Sequence, residues 1–248
     1  MKTRPTARSL AIVACAAAGC GAGVSVLVSM SSASAASPST WVGVRDLCGL
    51  AKRDGYVPSA DRCFSTLIAD VDGDGRPDLV LLYGRPSSRA ESGLETLKVV
   101  RASGGVLKAK LVATSPPPRV VAAGRVNARS GAELFVYVSW ISSGANVAVF
   151  DFQTGRLVRA PVILNFGGDS ASRFGFDCVR KPRPEIVQRN YELIGPTIYG
   201  RWRLTTDTYT WKGATLRLAH RASTIHRGWP GRTDVGIGAG CNPLPAYR

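Results

Sequence analysis

The most constraining stretch of this chain is the nonapeptide Asp70-Val71-Asp72-Gly73-Asp74-Gly75-Arg76-Pro77-Asp78, which carries carboxylates at its first, third, fifth and ninth positions. Anions this dense repel one another unless a cation lies among them. A hard divalent ion fits, since calcium accepts about six to eight oxygen ligands at flexible geometry. Gly75 permits the sharp turn that gathers the carboxylates round one point, and the carbonyl of Arg76 is the expected backbone ligand. The expected metal site is therefore Asp70, Asp72, Asp74 and Asp78 through their side chains, with Arg76 through its carbonyl, around Ca2+. The loop is not an EF-hand, because Leu81 stands where that motif needs a bidentate glutamate. An Asx-rich turn without metal is the plainer alternative.

The flanks set the local structure. Phe64-Ser65-Thr66-Leu67-Ile68-Ala69 and Leu79-Val80-Leu81-Leu82-Tyr83, closed by Gly84, are short apolar runs that predict strands on either side of the loop. Two later stretches echo this unit. Arg125 to Glu133 runs into Leu134-Phe135-Val136-Tyr137-Val138, and Asp177 to Glu185 runs into Ile186-Val187. Glu133 and Glu185 align with Asp78, but Arg125, Arg129, Arg180 and Lys181 fall where the first loop is acidic or neutral. Neither later loop is expected to hold calcium; a cationic side chain in place of the ion is the working hypothesis there. Each unit continues into an apolar run, a glycine turn and a second run, with turns at Gly104-Gly105, Gly155 and Gly213. That pattern predicts hairpins. The loops begin 55 and then 52 residues apart, a spacing suited to propeller blades or an open array. A weaker fourth echo lies at Arg232-Thr233-Asp234-Val235, and only Arg45 to Asp54 has faint helical character.

The loop from Asp70 to Leu79, its apolar strand and its recurrence resemble the FG-GAP and VCBS-type repeats of integrin alpha-subunit propellers and of many secreted bacterial proteins. The resemblance spans roughly residues 64 to 218 and is specific at the first loop alone. It implies a mainly structural calcium ion held by Asp70, Asp72, Asp74 and Asp78 with the Arg76 carbonyl. The expected fold class is all-β, either β-propeller-like or an open array of short antiparallel sheets. The expected domains are a signal peptide over 1–35, a disulfide-stapled segment over 36–63, and a repeat domain over 64–248. Its units fall near 64–118, 119–170 and 171–220, followed by a tail.

The start of the chain bears on compartment. Lys2, Arg4 and Arg8 precede an apolar run from Leu10 to Val28, then Ala33-Ser34-Ala35. Charged start, apolar middle and small-residue exit predict a secretory signal peptide; an uncleaved anchor and a lipid-modified Cys20 are the alternatives. All three place the rest of the chain outside the cytoplasm. Cys48, Cys63, Cys178 and Cys241 then face an oxidising compartment and allow three pairings. The favoured pairing is Cys48–Cys63, which would staple the segment before the acidic loop, with Cys178–Cys241, which would tie back the tail. No further apolar stretch is long enough to span a membrane.

The chain holds 32 Lys and Arg against 17 Asp and Glu, a formal charge of +15. The cations are dispersed, which suits a solvated surface or attraction to an acidic cell-envelope polymer, glycan or surface protein. Nucleic acid is not expected, since no recognition motif accompanies the charge. No catalytic constellation emerges either. His220 and His226 are the only histidines, Gly168-Asp169-Ser170 lacks the nucleophile-elbow pattern, and Glu91, Glu95 and Glu192 are unmarked carboxylates. Trp140, Tyr191, Tyr199, Trp202 and Trp211 are expected in cores, with a sugar-stacking platform as the alternative. The expectation is a secreted, monomeric, non-enzymatic binding or structural module; a lectin or carbohydrate-active enzyme on the same scaffold is the alternative.

Overall fold

The first apolar run after the acidic loop is buried on both faces, and the architecture follows from what covers it. In the computed structural model the described residues are 45–85, 93–113, 119–141, 144–180, 183–231 and 241. The expected signal peptide over 1–35, Glu91, Lys181 and the fourth echo at 232–235 lie outside them. One short helix, α1 (Leu47–Arg53), precedes twelve strands that run as three four-stranded meanders. The first is β1 (Arg62–Ala69), β2 (Asp78–Gly84), β3 (Gly93–Val100) and β4 (Val106–Ala113). The second is β5 (Arg119–Gly124), β6 (Glu133–Ile141), β7 (Gly144–Gln153) and β8 (Arg156–Gly168). The third is β9 (Ser172–Val179), β10 (Glu185–Leu193), β11 (Arg201–Lys212) and β12 (Thr215–Arg227).

Every neighbouring pair is antiparallel. The first meander forms its own four-stranded sheet, and the other two share an eight-stranded sheet in chain order. The shared sheet is joined at its middle by only two residue pairs, Gly167 with Phe174 and Gly168 with Arg173. The all-β expectation therefore holds, as two antiparallel sheets in a sandwich-like arrangement that does not close into a barrel among the described residues.

Strand periodicity decides which core each side chain joins, because successive residues point to opposite faces. On β2, Val80 and Leu82 pack with Leu97 and Val99 of β3 against Leu134, Val136, Val138 and Phe150 of the second meander. The alternate residues Leu79, Leu81 and Tyr83 meet Ala51 of α1, Val57 and Val100. On β6, Phe135 and Tyr137 turn the other way, toward Phe176 of β9 and Ile186 of β10. Phe135 and Phe176 stack with ring centroids 5.8 Å apart. β2 is thus covered by α1 on one face and the second meander on the other, and β6 by the first and third meanders, which explains why both are continuous apolar runs rather than alternating ones. Leu79, Val80, Leu81 and Leu82 are all wholly buried. At about 1.5–3 kcal/mol each they contribute a gross term comparable to a domain's whole net stability.

Hairpin turns fall at Arg101–Gly105, Thr154–Gly155 and Gly213–Ala214, between the last two strands of each meander. The helix forms because Asp46 caps it, accepting the Gly49 N–H at 2.8 Å, and because Ala51 is buried beneath β2. Of the three possible cysteine pairings the structure has Cys48–Cys63 and Cys178–Cys241. The second bond fixes a buried Cys241 against β9 and closes the longer loop, with a sequence separation of 63 against 15. Chain-entropy arguments give about 4 kcal/mol for the longer closure and about 3 kcal/mol for the shorter. Replacing Cys178 and Cys241 together by serine should therefore lower the urea midpoint more than replacing Cys48 and Cys63, in melts without reductant. Equal losses, or the reverse order, would show that the ends of the chain are held by other contacts.

Candidate metal centre

The acidic loop joins β1 to β2 at one end of the first meander, and Asp78 is its anchor. As the first residue of β2 its side chain is wholly buried, so both carboxylate oxygens need partners. Oδ2 accepts the N–H groups of Val71 at 2.9 Å and Asp72 at 3.4 Å, while Oδ1 accepts the N–H of Ala102 at 2.8 Å. One carboxylate thereby fixes the start of the loop and the β3–β4 turn. Burial pushes its pKa up, the N–H groups of Ala102 and Val71 oppose that, and the charge of Asp72 adds to it.

The other loop acids wrap the backbone by accepting nearby N–H groups. Asp70 takes Gly73 at 2.8 Å on Oδ1 and Gly75 at 3.2 Å on Oδ2. Asp72 Oδ1 takes Asp74 at 3.2 Å, and Asp74 Oδ1 takes Arg76 at 2.8 Å. Gly75 adopts φ +83°, in the left-handed region the turn requires. Asp70, Asp72 and Asp78 each offer an oxygen, and these oxygens lie within 4.8 Å of one another. Three hard donors so placed fit a metal ion. Asp74 and Arg76 are exposed, and Asp74 lies outside the converging group.

Cationic groups surround these carboxylates. Arg125 Nη2 lies 3.1 Å from Asp70 Oδ2, and Arg101 Nη1 lies 3.6 Å from Asp72 Oδ2, which also accepts the Ser103 hydroxyl at 3.2 Å. Arg101 and Ser103 come from the β3–β4 turn and Arg125 from the loop after β5. None of the three was legible as part of the site from the acidic motif alone.

The second loop reuses the scaffold with different charges. Glu133 opens β6 as Asp78 opens β2, and its Oε2 accepts the Val126 N–H at 2.6 Å. Asn127 stands where Asp72 does and donates to Asp151 Oδ1 at 3.3 Å; Arg129 Nη1 meets Asp151 Oδ2 at 2.8 Å. The register equates Asp151 with Arg101, since Val100 pairs with Leu79 and Phe150 with Leu134. In the second loop the arginine comes from the loop, at the position of Asp74, and the acid from the hairpin turn, the reverse of Asp72 facing Arg101. That exchange is visible once the hairpins are aligned. In the third loop Asp177 pairs with Arg189 of β10 at 2.6 Å, rather than with a cation of the loop itself. A cleft of about 700 Å³ lies beside the first two loops, lined by Asp72, Arg129, Glu133, Asp151, Gln153 and Ala214.

Several of the remaining candidates resolve into structural roles, whereas Tyr199, expected in a core, is 76% exposed because it lies in the loop between β10 and β11, and the Trp140 side chain lies outside the described residues. Asp169 Oδ1 accepts N–H groups from Ala171 and Ser172 at 2.8 Å, so the segment around Ser170 is a polar turn. His226 packs edge-on to Tyr191. Trp202 is fully buried, donates its Nε1 hydrogen to the Ile198 carbonyl at 2.9 Å and meets Trp229 edge-on, so it offers no face to a sugar. Glu192 forms an exposed pair with Arg203, and Glu95 is buried beside Gly84 with its pKa raised by burial.

No family model matches the sequence, and no curated protein does. Among solved structures, the exotype rhamnogalacturonan lyase YesX is similar at 14% identity and a TM-score of 0.39, covering 66% of this chain and 33% of that one. A rhamnogalacturonan lyase of Bacillus licheniformis is similar at 14% identity and a TM-score of 0.38, covering 66% and 34%. The chain thus spans about a third of the length of either. Both neighbours are enzymes, and the expectation of a non-enzymatic protein is withdrawn on that finding. At this identity none of their chemistry passes to the present chain.

Glu133 yields a test of this electrostatic arrangement. Burial, with a further push from Asp151, raises its pKa from 4.5 to about 7 against the opposing N–H of Val126. A carboxyl whose folded value exceeds its unfolded one is tolerated best when protonated, so stability is lost as pH rises from 4.5 through 7. Glu133→Gln keeps an acceptor for Val126 and removes the charge. The variant should exceed the wild type by about 1–3 kcal/mol at pH 8, with the gap shrinking below about 1 kcal/mol near pH 5. Urea melts at both pH values check this, and a pH-independent gap would contradict it.

Proposed function

We propose that this chain is an exported calcium-binding β-repeat protein of the FG-GAP/VCBS type. In this reading its metal-organised, propeller-blade-like meanders present a basic surface to an acidic partner outside the cell. The observation that carries the reading is the convergence of Asp70, Asp72 and Asp78 on one point within a loop that turns at Gly75. An all-oxygen donor set with several carboxylates suits calcium better than softer metals. Recurrence of the loop between the first two strands of all three meanders supports the repeat assignment. Export is supported by the charged, apolar and small-residue order of the first 35 residues, and by two disulfides, which persist in oxidising compartments.

The partner follows from charge. With 32 basic against 17 acidic residues, the protein attracts polyanions outside the cell. Envelope polymers, acidic glycans and acidic surface proteins share that chemistry.

Two measurements test the reading. Extracellular calcium modules bind with Kd of about 10⁻⁴ to 10⁻³ M, so 10 mM calcium, a chosen condition of about 10–100 Kd, should add about 1.4–2.7 kcal/mol. That corresponds to a rise of about 3–10 °C in Tm. Asp72→Asn keeps the acceptor for the Asp74 N–H and should lose most of the rise; an unchanged rise would remove Asp72 from the site. Separately, the protein should co-sediment with insoluble envelope material from its source cell, less so as salt increases. Absence of sedimentation at every salt concentration would eliminate the envelope polymer as partner.

A further inference from the structure

From the geometry around Asp70 we infer that Arg125 is a built-in competitor for the metal, so that calcium binding in the first meander releases a tie to the second. The inference rests on the calcium reading of the acidic loop and concerns how that site is regulated.

The accounting begins with acceptor capacity. A carboxylate offers about four lone-pair sites. Asp70 spends one on the Gly73 N–H, one on the Gly75 N–H and one on Arg125. The last two share Oδ2, which is then full. A metal ion drawing on this carboxylate meets a guanidinium already seated on it, and two cations on one carboxylate repel each other. Arg101 presents the same conflict at Asp72 more weakly, at 3.6 Å rather than 3.1 Å. The two arginines differ in freedom to leave. The Arg125 side chain is 60% exposed and can swing into solvent. Arg101 is 29% exposed, its Nε is buried without a partner, and Gly105 is pressed against its guanidinium.

Arg125 also differs in where it comes from. It follows β5, the first strand of the second meander, whereas Asp70 follows β1 of the first. Their ion pair crosses between two sheets that share no ladder hydrogen bonds among the described residues. The loops are docked there by further contacts. The Ala132 N–H donates to the Asp70 carbonyl at 2.9 Å, and Gly131, at φ +103°, would place an added Cβ 2.5 Å from the Val71 carbonyl oxygen. These backbone contacts do not depend on charge and remain when the metal binds. Calcium therefore exchanges one ionic link between the sheets without undoing the junction. Arg125 and Arg180 both line the roughly 580 Å³ cleft beside β1 and β5.

The test is calorimetric titration of the purified chain with calcium alone, at low ionic strength because an exposed pair is screened by salt. Wild type, Arg125→Ala and Arg227→Ala are compared. The last removes the same charge from the end of β12 opposite the turn that reaches the loops. Arg125→Ala should bind calcium at least about fivefold more tightly, the lower end of ordinary coupling between sites, while Arg227→Ala stays within about twofold of wild type. An unchanged or weakened affinity in Arg125→Ala, with calcium still bound by wild type, overturns the competition and leaves the calcium reading standing. An equal gain in both variants overturns it as a bulk charge effect. Calcium uptake by none of the three overturns the calcium reading and this inference together.

Discussion

A carboxylate cut off from solvent must be given partners by the chain that buries it, and much of the loop geometry here answers that demand at Asp78. Its two oxygens accept N–H groups from Val71, Asp72 and Ala102, so one side chain ties the entrance of the acidic loop to the turn after β3. Hydrogen bonds to a charged acceptor contribute roughly 1.5–3 kcal/mol each, and leaving such a group bare costs more than that. The loop is consequently shaped before any ion arrives. Asp70 and Asp72 are brought within reach of Asp78 because the backbone they cap is already pinned at both ends.

The same device has been kept and altered in the second meander. Glu133 occupies the anchor position and takes the Val126 N–H, but its longer side chain is left near neutrality by burial and by Asp151. The charge exchange between Asp72–Arg101 and Arg129–Asp151 then makes physical sense. A cation is needed where carboxylates converge, and a guanidinium tethered to the chain meets that need without a dissociable ion. The third loop satisfies Asp177 differently, through Arg189 from the strand itself. One backbone plan thus carries three separate answers to one electrostatic problem, and only the first leaves a group of three acids within metal-binding reach among the described residues.

Local features were legible in the sequence because they are made by neighbours in the chain. The loop turn at Gly75, the hairpins at Gly104-Gly105, Gly155 and Gly213, and the short helix near Arg45 to Asp54 all depend on residues a few positions apart. The disulfides were legible as the favoured one of three pairings, because each bond ties down a segment next to the strands it flanks. What escaped was set by distant segments. Nothing near Trp202 in sequence indicates that Trp229 and Tyr191 would seal it from solvent. Arg125 lies 55 residues from the Asp70 it pairs with. The unbroken apolar run of β2 says that both faces are covered, but not that α1 covers one and the second meander the other.

The surface charge and the acidic loop pull in opposite directions, and their arrangement limits what the basic surface can do. Dispersed arginines raise the potential everywhere, which draws polyanions but works against a divalent cation. The loop overcomes this locally by concentrating four carboxylates in nine residues, yet it recruits Arg101 and Arg125 as it does so. On the calcium reading proposed above, affinity for the ion is a difference between two competing sets of cations on the same oxygens. Such a difference is sensitive to ionic strength, because the Arg125 pair is exposed while Asp78 is shielded. Salt weakens the guanidinium's hold on Asp70 more than it weakens the bonds that shape the loop, so the internal rivalry fades with ionic strength while the loop geometry persists. The same screening acts on a divalent ion and on a polyanion, so attraction to either falls as salt rises.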